Sequence, residues 1–217
     1  MAVRFLIVGG GPAGNTAATF AARLGADVTV VERDVVGGAA HLLDCIPSKT
    51  MLATGGAMSF SRRLHGMGLE EFTPEVDVEA LTERIESIKN HLGNNTTQLL
   101  ESQGVRIVRG AASFVSEHRV EVRSVDSSGK ESVRGIDFDA ALIATGSRPR
   151  IPDWVEPDGE RILTTRDCYP PKVFPSSVCV IGSGVTGVEF VHMFSSFGAK
   201  VTLVVSRQQV LPGKDPE

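Results

Sequence analysis

The strongest constraint on the fold is a pattern that occurs twice. Residues 3–8, VRFLIV, form an unbroken apolar run. Such a run reads as a strand of a parallel sheet, covered on both faces. Gly9-x-Gly11-x-x-Gly14 follows at once, then the alanine-rich stretch NTAATFAARLG, which reads as a helix closed by Gly25, and then DVTVVE, a second strand ending on Glu32. Late in the chain the order returns in SVCVIGSGVTGVEFVHMFSSFGAKVTLVV, with Gly182-x-Gly184-x-x-Gly187 between strand and helix and Gly198 before the closing strand. A lone G-x-G-x-x-G says little. Strand, glycine turn, helix, strand and terminal acid in register describe a dinucleotide-binding unit. Its glycines allow a tight turn and close backbone approach, the helix N-terminus faces a pyrophosphate, and the acid takes a ribose diol. Glu32 is that acid, 18 residues after Gly14.

Between the two units the chain changes character. Thr50 to Leu64 reads as a helix, and residues 65–76 as a loop containing glycine and proline. Asp77 is placed to cap a long helix running to about Glu101, with Leu81, Ile85, Ile88, Leu92 and Leu99 as its core stripe and His91 as a polar-face or hydrogen-bonded structural histidine. Gly104 closes it, and VRIVRG gives the next strand. From Ala111 onward ASFVS, RVEVRSV and SVRGIDFDAALIAT, with SSGK as a turn, predict an antiparallel meander over about 111–140 before the first sheet resumes. Residues 149–174 hold five of the prolines in the run Pro149 to Pro175 and read as a linker. The expected domains are therefore 1–148, the linker, and 175–217.

Net charge is −4 over 217 residues, which gives no case for a nucleic-acid partner. No run of 18 or more apolar residues occurs, so no integral membrane segment is expected. The apolar start runs straight into a glycine turn and is too short for a signal peptide. Three cysteines without metal spacing predict no metal site and fit a reducing, cytoplasmic setting. Cys168 in the linker reads as incidental, and Cys179 within an apolar strand as packing.

The stretch Gly37 to Thr50, GGAAHLLDCIPSKT, follows the first unit directly and gathers Cys45, Pro47, Ser48 and Lys49. A thiol beside a cation suits a redox or nucleophilic site, since positive charge favours the thiolate. This stretch resembles the active-site segment of the FAD-dependent pyridine nucleotide–disulfide oxidoreductases, the family of dihydrolipoamide dehydrogenase and glutathione reductase, which reads G-G-T-C-x-x-x-x-C-x-P-S-K. Cys45 matches the second cysteine and Lys49 the family lysine. The first cysteine position is Ala40, so the family's internal disulfide cannot form here. The segment is most similar to a subgroup of flavoprotein NAD(P)H:quinone reductases that carry GGAA and lack that disulfide. ALIATGSRP resembles the family's A-T-G turn, whose backbone passes close to the flavin nucleotide.

The resemblance implies an α/β fold: a Rossmann-type FAD-binding domain with an inserted antiparallel β-meander, followed by the start of a second Rossmann-type, NAD(P)-binding domain. It places FAD on Gly9, Gly11, Pro12, Ala13, Gly14, Glu32, Arg33, Gly38, Ala39, Lys49, Ala112 (near the adenine), Thr145, Gly146 and Ser147. It places the nicotinamide cofactor on Gly182, Gly184, Val185, Thr186, Gly187, Glu189 and Arg207. Cys45, Lys49 and Glu189 are the implied catalytic residues, with Lys49 paired to Glu189 and its charge favouring reduced, anionic flavin. Two readings of Cys45 stand, a thiolate against the ring and a relic. With no internal disulfide, the implied acceptor is a quinone-like small molecule that meets the flavin directly. The rival readings are a dihydrolipoamide dehydrogenase with a lost or relocated thiol, and a flavin- or nucleotide-binding module without turnover.

The two units also invite comparison with each other. The counterpart of Glu32 falls 18 residues after Gly187, at Val205, followed by Ser206 and Arg207. An acid there favours NAD, and its loss with arginine nearby favours the 2′-phosphate of NADPH. NADPH is therefore expected to serve at least as well as NADH. The resemblance covers about the first half of a family protein. It implies a fragment inactive alone, whose full-length form is a homodimer through a C-terminal domain.

Overall fold

A computed structural model describes residues 2–70, 72, 74–206 and 209–213. The chain packs as two compact units, residues 1–46 with 86–156, and residues 47–85 with 157–217.

In the first unit, β1 (Arg4–Val8), β2 (Asp27–Glu32), β3 (Arg106–Arg109) and the later β7 (Ala140–Ile143) form one sheet in the order β3-β2-β1-β7. All its pairings are parallel. Successive side chains along a strand alternate between faces, and both faces here are covered. Ile7, Val28 and Val30 join Ala18 of α1 (Pro12–Arg23) and Leu100 of α3 (Val78–Ser102) in one cluster. Leu6 and Val31, on the other face, join Val120, Val122 and Phe138 in a second. The partners on that face come from the predicted meander: β4 (Ala111–Ser116), β5 (Arg119–Val125) and β6 (Glu131–Asp137), antiparallel in that order. The stretch SVRGIDFDAALIAT thus serves two sheets. It leaves the meander after Asp137 and rejoins the parallel sheet at Ala140.

The alanine-rich face of α1 explains its seat on the sheet, since small side chains let helix and strand come close. The helix starts with Pro12 at its first position and ends in a Schellman turn, Gly25 N–H donating to Ala22 and Ala26 N–H to Ala21. The same pair of bonds closes α3 at Gly104 and Val105.

In the second unit, β8 (Ser177–Ile181) pairs in parallel with β9 (Lys200–Val204), with α4 (Val185–Ser196) between them in sequence. Phe190, Met193 and Phe194 of α4 pack with Met51 of α2 (Ile46–Ser61), with Leu81 and Ile85 of α3, and with Cys168. Gly55 lets α2 approach α4 closely, because a Cβ there would stand 3.0 Å from that of Ser196. Among the described residues no helix is long and apolar enough to cross a membrane.

Three expectations about packing need correction. Asp77 does cap α3, accepting from Ala80 N–H at 2.9 Å, and Leu81 and Ile85 are core. Leu92 and Leu99 are not; they are exposed, and Leu100 is buried. From Ile85 the half-buried line runs through Lys89, Gly93 and Thr97 to Leu100, spacings of four and three that polar and small residues hide from a hydrophobic reading. Cys179 is also exposed, because Val178 and Val180 take the inward positions of its strand. Cys168 is more than incidental. It is buried in the second unit's core, where burial, with Asp167 adding, pushes its thiol up to about 12.

The first sheet is stapled at its entry edge by Arg4 and Asp139. The guanidinium meets the carboxylate at 2.6 Å, and the Arg4 backbone N–H donates to the same group at 2.8 Å. These bonds hold Asp139 down to about 2. A carboxyl group depressed in the folded state stabilises above its unfolded pKa of about 4, and that contribution is lost as pH falls through the folded value. Thermal melts should therefore show Asp139→Asn below wild type at pH 7, the gap closing between pH about 4 and about 2.

Candidate functional site

The site of the first unit lies where its parallel strands end. Val8 pairs with Val31 on one side and with Ile143 on the other, so the three strands finish in step. Gly9 and Ala144 then leave the sheet beside Glu32, the last residue of β2, tied by Gly9 N–H to Val31 at 2.8 Å and Ala144 N–H to Val8 at 2.8 Å. In open α/β sheets this carboxyl edge is where ligands bind.

Three glycines are dictated by approach. Gly9 sits at φ +112°, and a Cβ there would collide with the carbonyl of Ala144. A Cβ on Gly14 would run into the carbonyl of Gly9, and one on Gly38 would meet the backbone of Gly11. The A-T-G turn, the glycine loop and the start of the Gly37–Thr50 segment thus converge on one cradle. Pro12 and Ala13 are exposed at the N-terminus of α1, and Thr145, Gly146 and Ser147 are exposed at the strand end. The helix N-terminus offers unpaired amides and a positive dipole end, suited to an anion.

Glu32 is half-buried at the end of β2. Its Oε2 accepts from Gly10 N–H at 2.6 Å and its Oε1 from Asp34 N–H at 2.7 Å. Arg33 points to Asp34, with which it pairs at 3.2 Å. Ala112 lies on β4, packed against the cluster that holds Leu6 and Val31. Gly10 is not among the residues the sequence assigns to the site, yet the N–H of Gly37, which opens the GGAA stretch, donates to the Gly10 carbonyl at 2.8 Å. The signal was available: a Gly-Gly pair placed just after the second strand.

The segment after Gly38 is helical. A π-helical turn, Ala40–Cys45, continues into α2 at Ile46. Cys45 closes that turn with its side chain exposed. Lys49, in the first turns of α2, meets Glu189 of α4 at 2.5 Å, an ion pair within the second unit. Among the described residues no cluster of three or more His, Cys, Asp or Glu is arranged to hold a metal ion.

The second unit repeats the first in detail. Gly182 sits at φ +117°, and a Cβ on Gly187 would meet the Gly182 carbonyl just as Gly14 meets Gly9. The caps of α1 and α4, Gly11 and Gly184, share one backbone conformation, with φ −80° and −74°. Val185 and Thr186 are exposed in the first turn of α4. Gly182 N–H donates to Val204 at 3.0 Å, as Gly9 does to Val31. This register makes Val205 the structural counterpart of Glu32. Arg207 lies outside the described residues.

The chain belongs to the family of pyridine nucleotide-disulphide oxidoreductases, whose model matches residues 3–217. It is 36% identical to an NAD(P)H dehydrogenase (quinone) of Mycobacterium tuberculosis, an alignment covering 100% of this chain and 45% of that protein. It is 36% identical to dihydrolipoyl dehydrogenase 2 of Haloarcula marismortui, over 98% of this chain and 44% of the relative. Among solved structures, LpdA from Mycobacterium tuberculosis matches with a TM-score of 0.85 at 36% identity, covering 99% of this chain and 47% of that one. The chain thus spans somewhat under half the length of these relatives. The α/β architecture expected from the sequence, a Rossmann-type parallel sheet with an antiparallel meander beside it, is the architecture found.

Gly9→Ala should lower the melting temperature far more than Gly25→Ala. Both sit at positive φ, but a Cβ on Gly25 meets open space and costs only about 1 kcal/mol, whereas one on Gly9 must also displace the Ala144 backbone.

Proposed function

We propose that the whole protein is a FAD-dependent oxidoreductase that takes hydride from NADPH or NADH and delivers electrons to a quinone-like small acceptor. When bound, the flavin accepts the hydride and returns the electrons. The observation that carries the choice of acceptor is Ala40, which stands where the family's disulfide reductases place their first cysteine. A disulfide between positions 40 and 45 cannot form, so the usual relay from flavin to a disulfide substrate is not open. Similarity to the quinone-acting relative supports the same reading.

The first unit's residues fit a flavin dinucleotide: its glycine cradle has the room that a Cβ would take away. The α1 N-terminus would take the pyrophosphate and Glu32 the ribose diol. Gly38, Ala39, Ala112 and residues 145–147 would line the same nucleotide. Gly182 to Gly187 would play the first part for the nicotinamide cofactor. Lys49, held by Glu189, presents a fixed cation, and such a charge stabilises negative charge that develops beside it. Cys45 is not needed for electron transfer to a quinone.

The dihydrolipoyl dehydrogenase relatives favour a second reading, reduction of lipoamide by a rerouted thiol. Steady-state turnover of full-length Cys45→Ser separates the two. Quinone reduction should stay within about twofold of wild type, with no lipoamide turnover in either protein. A loss of about a hundredfold or more would make the thiol essential and return the enzyme to the disulfide reductases.

Val205 favours acceptance of NADPH, since no carboxylate stands there to repel a 2′-phosphate. Val205→Glu should lower kcat/KM for NADPH relative to NADH by about tenfold or more. A much higher kcat/KM for NADH in the wild type would contradict this reading of the position.

A further inference from the structure

We infer that Glu32 is a positioning residue as well as a ribose acceptor: its carboxylate clamps the glycine loop to the turn after β2 and builds the nucleotide cradle before any nucleotide arrives. This rests on the reading of the first unit as a nucleotide site.

The geometry is specific. One carboxylate oxygen accepts from Gly10 in the loop and the other from Asp34 in the turn, at 2.6 and 2.7 Å. Hydrogen bonds to an ionised acceptor are roughly twice as strong as neutral ones. The clamp is closed on its far side by Gly37 N–H to the Gly10 carbonyl at 2.8 Å, and it brings Gly38 against Gly11. A second tie, Gly110 N–H to the Glu32 carbonyl at 2.9 Å, fixes the backbone from which the side chain reaches. An ionised carboxylate has about four acceptor sites. Two are used by the amides, and two remain for the hydroxyls of a ribose.

The second unit is an internal control. At its counterpart position Val205 has no acceptor. The chain after β9 still folds back over the loop, Leu211 N–H donating to the Ser183 carbonyl at 2.7 Å where Gly37 donates to Gly10. Ser183 Oγ reaches the Gln209 carbonyl at 3.4 Å. Fold-back is common to both units, whereas the carboxylate clamp belongs to the first. A prebuilt site binds more tightly because the ordering cost is met in advance. The clamp therefore suits the first unit to a nucleotide that stays, and its replacement by Val205 suits the second to one that exchanges.

The test separates clamping from ribose contact. Full-length protein freed of flavin is titrated calorimetrically with ADP and with 2′,3′-dideoxy-ADP, as wild type, Glu32→Gln and Glu32→Ala. Amide hydrogen exchange of residues 9–14 and 33–38 is followed in the same nucleotide-free proteins. The clamp predicts that Glu32→Ala weakens dideoxy-ADP, which has no diol to lose, by about tenfold or more. It predicts faster exchange in both segments without ligand. The nearly isosteric Glu32→Gln, with one acceptor oxygen for two amides, should fall between. Weakened ADP with dideoxy-ADP within about twofold of wild type, and unchanged exchange, would overturn the clamp and leave Glu32 a ribose ligand only. Failure of wild type to bind either ligand would overturn the nucleotide reading itself, and the exchange comparison would still decide the clamp.

Discussion

The first unit depends on the close approach of the first turn of α1 to the end of β1. Gly14 lies against the carbonyl of Gly9, and Gly9 against that of Ala144. Any side chain at these points would push helix, loop and the neighbouring strand apart. Because the approach is made, β1, β2 and β7 end in step, and a glycine loop, an acid and a strand-end turn share one edge. The chemistry proposed for the chain is built on that edge and on its repeat.

The repeat is informative because it is nearly the same backbone carrying different side chains. Gly9 and Gly182 differ by only a few degrees in φ, and both donate to the residue before the acid position. What differs is what stands next: Glu32 in one and Val205 in the other. Two units of one backbone shape thus differ in the side chain at the position where a dinucleotide-binding strand carries its acid. Lys49 and Glu189 add a paired charge to the second unit, one partner arriving from the segment that begins at Gly37.

Much of this was legible in the sequence because it is enforced locally. Glycine spacing, unbroken apolar strands and a terminal acid leave few folds open, and the β8 and β9 boundaries follow from the same signals as β1 and β2. The pairing of Lys49 with Glu189 was implied by resemblance rather than by any local pattern, and the geometry holds it. What stayed hidden depends on neighbours. Leu100 and Leu99 are equal to a hydrophobic reading, and only the packing around α3 decides which is buried. Cys179 was misjudged because an apolar strand with one face open hides its alternation. The hydrogen bonds of Glu32 to Gly10 and Asp34 join backbone groups, and backbone groups leave no mark on a sequence.

In the proposed reaction, electrons pass from nicotinamide to flavin and leave without a disulfide relay. The most direct measurement is an anaerobic titration of the full-length, flavin-loaded protein with NADPH while its visible spectrum is recorded. The disulfide-free route predicts that one flavin's worth of electrons completes the reduction. Uptake of twice that amount, with a long-wavelength thiolate–flavin band partway, would contradict it and make Cys45 half of a working redox pair.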